Sequence, residues 1–134
     1  MSEPRWVDKR ALVLLHGESL AEHGGSAGMR DEGLLDSALA KPRNRHAYES
    51  ESDLSRLAAS YGIGIAKNHP FVDGNKRSGA FTFIWFLRKS GVRGAKNINP
   101  SGLTAITLLI AESNPAHKDK VVALVVELLK TKGV

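Results

Sequence analysis

The sequence predicts an all-α protein, a compact bundle of about six helices around one buried central helix, with residues 1–134 forming a single domain. Three observations carry this. Apolar residues recur at i, i+3 and i+4 in segment after segment. Glycine and proline punctuate the chain between those segments. One segment, Ala80-Phe81-Thr82-Phe83-Ile84-Trp85-Phe86-Leu87, is apolar nearly all round, as suits a helix covered on every side.

The first helix is expected over about 5–22, where Trp6, Arg10, Val13, Leu14, Gly17, Leu20 and Ala21 share helical spacing. Gly24, Gly25 and Gly28 then enforce a loop. A short helix at about 31–40 carries Leu34, Leu35, Ala38 and Leu39, with Asp31 as N-cap and Pro42 as its stop. Residues 42–52 are polar and aperiodic and read as a loop. Ser52 or Asp53 caps a third helix with a stripe of Leu54, Leu57, Ala58, Tyr61 and Ile65. It must end near Asn68, because the residue before Pro70 is driven out of the α region. The buried helix follows over about 75–90, with a wholly polar first turn, Asn75-Lys76-Arg77, and Gly91 at its end. Two more helices are expected at about 100–112 and 117–131, separated by Asn114-Pro115.

Composition narrows the function. Without cysteine there is no disulfide and no thiolate metal site. No leader-like apolar segment opens the chain, and no apolar run approaches the roughly 20 residues of a membrane span, so a cytoplasmic protein without a membrane partner is expected. The net charge of +5 suits a nucleotide or an acidic protein partner. Direct nucleic-acid binding is not favoured, because the lysines and arginines are scattered without a run of three and aromatic residues are few. His16, His23, His46 and His117 show no metal-ligand spacing, and Trp6 and Trp85 read as core or interface anchors.

The chemistry is concentrated in His69-Pro70-Phe71-Val72-Asp73-Gly74-Asn75-Lys76-Arg77. Gly74 permits a tight turn and close backbone approach. The N–H groups that open the next helix lack intrahelical partners and carry partial positive charge, which suits phosphate oxygens. Lys76 and Arg77 add full charges at the same end, the guanidinium able to grip phosphate through two parallel hydrogen bonds. Asp73 has the chemistry to hold a Mg²⁺ that bridges phosphates. Asn75 suits either of two tasks, orienting a phosphate or fixing the loop backbone. His69 can take a proton near neutral pH and is the natural general base for a hydroxyl nucleophile. Phe71 reads as a plug into the core. Plainer roles exist for each: Asp73 as a helix N-cap, Lys76 and Arg77 as a solvated face, His69 as a loop residue. Their combination at the head of a buried helix favours an anion site, since charge there is costly without a purpose. Phosphoryl or nucleotidyl transfer follows, in which catalysis is mainly positioning and charge stabilisation.

This stretch resembles the Fic/Doc signature. The resemblance extends upstream to Gly28-Met29-Arg30-Asp31-Glu32-Gly33-Leu34-Leu35-Asp36-Ser37-Ala38-Leu39 and to Ile65-Ala66-Lys67-Asn68, and covers about residues 10–90. Fic enzymes that move AMP from ATP to a hydroxyl carry a second glycine where Lys76 stands and a second arginine where Ala80 stands. The Asn75-Lys76-Arg77 form is that of the Doc branch, some members of which have alanine in place of Gly74. The resemblance therefore implies an ATP- and Mg²⁺-dependent kinase that phosphorylates a threonine of translation elongation factor Tu, halts translation and is neutralised by a Phd-like antitoxin. By position, His69 is implied as catalytic base, Asp73 as the residue serving metal and nucleotide, and Gly74, Asn75, Lys76 and Arg77 as the phosphate-binding set. The alternatives are a Fic-type adenylyltransferase and a catalytically inactive binding module. Many Fic enzymes carry an inhibitory motif, Ser or Thr followed after three residues by Glu and then Gly or Asn. Glu32 is the only glutamate followed by either, and position 28 is glycine, so inhibition by a separate partner is expected.

Overall fold

A computed structural model describes residues 4–91 of the chain. The two helices expected at about 100–112 and 117–131 lie outside those residues. Within them the backbone forms four helices: α1 (Lys9–His23), α2 (Glu32–Tyr48), α3 (Leu54–Asn68) and α4 (Asn75–Lys89). Among the described residues no strand forms, and the extended backbone meets only in an isolated bridge between Met29 and Phe71. The all-helical expectation holds here, with four of the about six helices described.

The caps explain the boundaries. Asp31 accepts a hydrogen bond from the Leu34 amide at 3.0 Å and starts α2. Asp53 accepts from Ser55 at 2.9 Å and Arg56 at 3.4 Å and starts α3. Side-chain caps of this kind satisfy amides that a helix leaves orphaned. The first helix begins at Lys9, later than its spacing suggests, and the residues before it pack on the other helices instead. There the Val7 amide donates to the Tyr61 hydroxyl at 3.1 Å, and Trp6 stacks on Phe86 with centroids 6.1 Å apart.

Pro42 does not stop α2, contrary to expectation; the helix runs through it to Tyr48. A proline inside a helix removes one backbone bond and costs about 3 kcal/mol. Tertiary contacts offset that cost. Pro42 is buried, the Arg43 guanidinium sits 5.6 Å above the Trp6 ring, and His46 meets Trp6 edge-on at 5.4 Å. The segment 42–48 thus packs on Trp6 as a helix, and these contacts favour its helical form.

The core has two centres. Leu57, Tyr61, Phe83, Phe86 and Leu87 form one between α3 and α4. Leu12, Leu35, Ala38, Ile65 and Phe71 form the other, beneath the turn that joins those helices. Burying each large side chain contributes about 1.5–3 kcal/mol. The helix α4 is buried along most of its length, as its sequence predicts. The helix α3 is buried as thoroughly, which its single apolar stripe does not reveal. Its other faces carry Ala59, Ser60, Gly62, Gly64 and Ala66, small residues that let neighbouring helices come close. A Cβ on Gly62 would lie 3.2 Å from the Gly79 carbonyl oxygen, and one on Gly64 would lie 3.4 Å from Ala38 Cβ. The centre of the fold is therefore the α3–α4 pair, with α2 on α3 and α1 on α4.

Candidate active site

Residues 69–74 carry the chain from the C-terminus of α3 to the N-terminus of α4. His69 ends α3 in the left-handed region, at φ 49° and ψ 54°, and its amide still reaches Ile65 O at 3.3 Å. Only Ser50 shares a positive φ among the described non-glycine residues. The conformation costs an L-residue about 1–2 kcal/mol, and such strain persists only where the surroundings impose it. Here they do. The Gly28–Asp31 segment lies along the turn, with Arg30 N and Asp31 N donating to Pro70 O at 2.7 and 2.9 Å, and Val72 N donating to Gly28 O at 3.0 Å. The His69 side chain is exposed.

Phe71 is fully buried and anchors the loop in the core, where its ring stacks on His16 with centroids 3.7 Å apart and planes 10° apart. Asn75 closes the loop from the other side. Its Oδ1 accepts from Phe71 N and its Nδ2 donates to Phe71 O, both at 2.9 Å. Of the two tasks open to it in sequence, the carboxamide performs the second, and the residue is buried.

Asp73 is exposed and does not cap α4; the N-cap is Gly74, at φ 75°. The carboxylate instead accepts from Ser26 N at 3.1 Å and Gly74 N at 2.9 Å. These two amides hold the Asp73 carboxyl below the usual carboxylate range, helped by the charges of Arg77 and His16 and opposed by partial desolvation. The Asp73 carbonyl is bound by His16 Nε2 at 2.8 Å. A carbonyl only accepts, so that nitrogen carries the proton.

The N-terminus of α4 has no side-chain cap and no acidic residue in its first turn. Its positive end is therefore not neutralised by its own helix, and Lys76, exposed, and Arg77, half-buried, add charge to it. The structure thus brings His69, Asp73, Gly74, Lys76 and Arg77 to one junction, with Asn75 beneath them. The donor set fits Mg²⁺ in one manner only. Among the described residues no group of three His, Cys, Asp or Glu side chains gathers to hold a metal. Asp73 would be the residue to hold a cation here, leaving the other ligands to phosphate and water, as is common for Mg²⁺.

Sequence reasoning missed three contributors. His16, Arg30 and the Gly25-Ser26 turn all touch the signature stretch, from 39 to 57 positions away for the side-chain bonds. Gly25 carried a readable signal, since a glycine-rich loop marks a close approach. A Cβ there would fall 3.0 Å from Asp73 Oδ2.

An exposed imidazole on a left-handed turn, a carboxylate and a cationic helix N-terminus without a side-chain cap thus meet at one junction of a helical protein. Comparison gives the family. The model of the Fic/DOC family matches residues 6–87, and the chain belongs to that family. It is 34% identical over 89 residues to the "Protein kinase doc" of Escherichia phage P1, a match spanning 66% of this chain and 71% of that protein. It is 38% identical over 78 residues to the "Toxin Doc" of Mycolicibacterium smegmatis, spanning 57% of this chain and 59% of that one. Both relatives place it on the Doc side of the family.

Proposed function

We propose that the chain is a Doc-type toxin acting as a protein kinase, which moves the γ-phosphate of ATP to a threonine hydroxyl of elongation factor Tu and is neutralised by a Phd-like antitoxin. The observation that carries the proposal is the junction itself: exposed His69 within the same turn that delivers Asp73 and the cationic start of α4. The kinase name of the phage P1 relative supports the same reading. Lys76 and Ala80, which replace residues of the AMP-transferring form, favour it over adenylylation.

In this mechanism His69 removes the proton from the threonine hydroxyl as its oxygen attacks the γ-phosphorus. The new O–Pγ bond forms as the bond from Pγ to the β–γ bridging oxygen breaks, and ADP leaves. Lys76, Arg77 and the first-turn amides of α4 hold phosphate oxygens and spread the charge that builds on them. Asn75 keeps the loop in shape while those groups act. Asp73 would hold Mg²⁺, which when bound supplies charge neutralisation at the phosphates.

The test is transfer of label from ATP to purified elongation factor Tu. Label from the γ position, lost in His69→Ala and Asp73→Ala, is the expected result. Label arriving from the α position overturns the kinase in favour of an adenylyltransferase. Growth arrest that survives both substitutions overturns catalysis altogether and leaves a binding module.

A further inference from the structure

We infer that Arg30, outside the signature stretch, is the positioning residue that sets the backbone of His69; its chemical consequence rests on the kinase reading above. The guanidinium Nε donates to His69 O at 2.5 Å, and a terminal nitrogen donates to Asn68 O at 2.8 Å. The main chain of the same residue joins in, because Arg30 N and Asp31 N both donate to Pro70 O. Three successive carbonyls, those of residues 68, 69 and 70, are therefore taken up by Arg30 and its neighbour.

A helix that ends in the left-handed region ordinarily places glycine or asparagine there. This chain places an imidazole there, at φ 49°. Histidine enters that conformation more readily than most residues with a side chain, yet still at a cost, and contacts from outside the turn offset it. The rigid guanidinium fork is suited to the task, having donors at a fixed separation that meet two adjacent carbonyls at once. Its charge also suits the negative end of a helix. Asn68 Nδ2 steadies the same turn by donating to Leu34 O at 3.0 Å. Arg30 is itself exposed, and both its side-chain bonds are exposed, so removing the fork leaves the core intact.

The experiment compares the full chain with Arg30→Met, which keeps the stem and loses the fork, and Arg30→Lys, which keeps the charge and one donor position. Three quantities are measured: the His69 ¹³Cα chemical shift, which reports backbone dihedrals whatever the activity; the thermal midpoint; and kcat and KM for γ-phosphate transfer. Arg30→Met is expected to move the His69 shift out of the left-handed range and to lower kcat about tenfold to a hundredfold, with KM for ATP changed by less than about twofold. Arg30→Lys is expected to fall between it and the parent on both counts. An unmoved His69 shift in Arg30→Met overturns the inference, and so does a moved shift with kcat unchanged. Should Arg30→Met fail to fold, Arg30→Lys decides, because a parental shift and kcat in that variant overturn it equally. If the parent chain transfers no γ-phosphate, the kinase reading falls, and the chemical shift alone still decides whether Arg30 sets the turn.

Discussion

The His16 imidazole lies flat on the Phe71 ring, 3.7 Å between centroids, and from there its Nε2 reaches the Asp73 carbonyl at 2.8 Å. One buried ring thus joins α1 to both ends of the Phe71–Asp73 segment. His16→Phe keeps a ring for stacking and removes the donor. Urea unfolding should show a loss of about 1–3 kcal/mol, since the bonded carbonyl is stranded. A variant as stable as the parent would show that the hydrogen bond contributes nothing.

The Asn75 carboxamide satisfies both backbone groups of Phe71 in a buried setting. Asn75→Ala leaves an N–H and a C=O unpaired, and a loss of about 2–4 kcal/mol is expected. Hydrogen exchange at the Phe71 amide should quicken in step. Unchanged exchange would mean that some other group holds the loop.

Two glycine-to-alanine changes should act in opposite directions. Gly62→Ala pushes a methyl to 3.2 Å from the Gly79 carbonyl oxygen and should cost about 1–3 kcal/mol as α3 and α4 are forced apart. Gly17→Ala, in α1, meets nothing within 4 Å and should stabilise by about 0.4–1 kcal/mol through helix propensity and a less flexible unfolded chain. Thermal midpoints that moved the same way in both would contradict the packing described.

The Asp73 carboxyl is held below its ordinary value of 3.8 by the Ser26 and Gly74 amides. A carboxyl with a lowered folded pKa contributes stability above its unfolded value and loses it as pH falls through the folded one. The Ser26 amide should therefore stay protected down to about pH 4 and open only in stronger acid, as amide exchange can follow. Asp73→Asn should abolish this acid transition at Ser26. A transition that persisted in that variant would belong to another group.

Burial raises the Tyr61 phenol above its ordinary 10.0, against the Val7 amide, whose bond favours the phenolate. A phenol with a raised folded pKa contributes fully below the unfolded value and is lost as pH climbs past it toward the folded one. In Tyr48→Phe, which leaves Tyr61 as the only tyrosine, the absorbance change of phenolate should lag behind that of free tyrosine and coincide with alkaline unfolding. Ionisation in the intact fold near 10.0 would contradict the burial.

Much of this was legible in sequence. Asp31 and Asp53 announced their helices by N-capping chemistry, and Pro70 announced the end of α3 through its effect on His69. The apolar run from Ala80 to Leu87 announced a buried rod. Other features were hidden for physical reasons. Pro42 should break a helix by local rules, and the contacts that offset its cost, its own burial and the packing of Arg43 and His46 on the distant Trp6, are tertiary. The second buried helix escaped notice because glycine, alanine and serine carry little hydrophobic signal, although they permit the closest packing. In the candidate site, the residues proposed to act sit within nine consecutive positions and can be read directly. Their supports, His16, Ser26 and Arg30, come from other segments, and nothing in local periodicity points to them.

The link between Asp73 and the Ser26 amide has a practical consequence for reading genomes. An intact nonapeptide from His69 to Arg77 is then an incomplete certificate of toxicity, since one of the two amides that hold its acid comes from a glycine-rich bend decoded some forty codons earlier. On the proposed role of Asp73, lesions in that bend would disarm the protein while its hallmark stayed unblemished, and surveys that score the hallmark alone would count harmless copies as live ones.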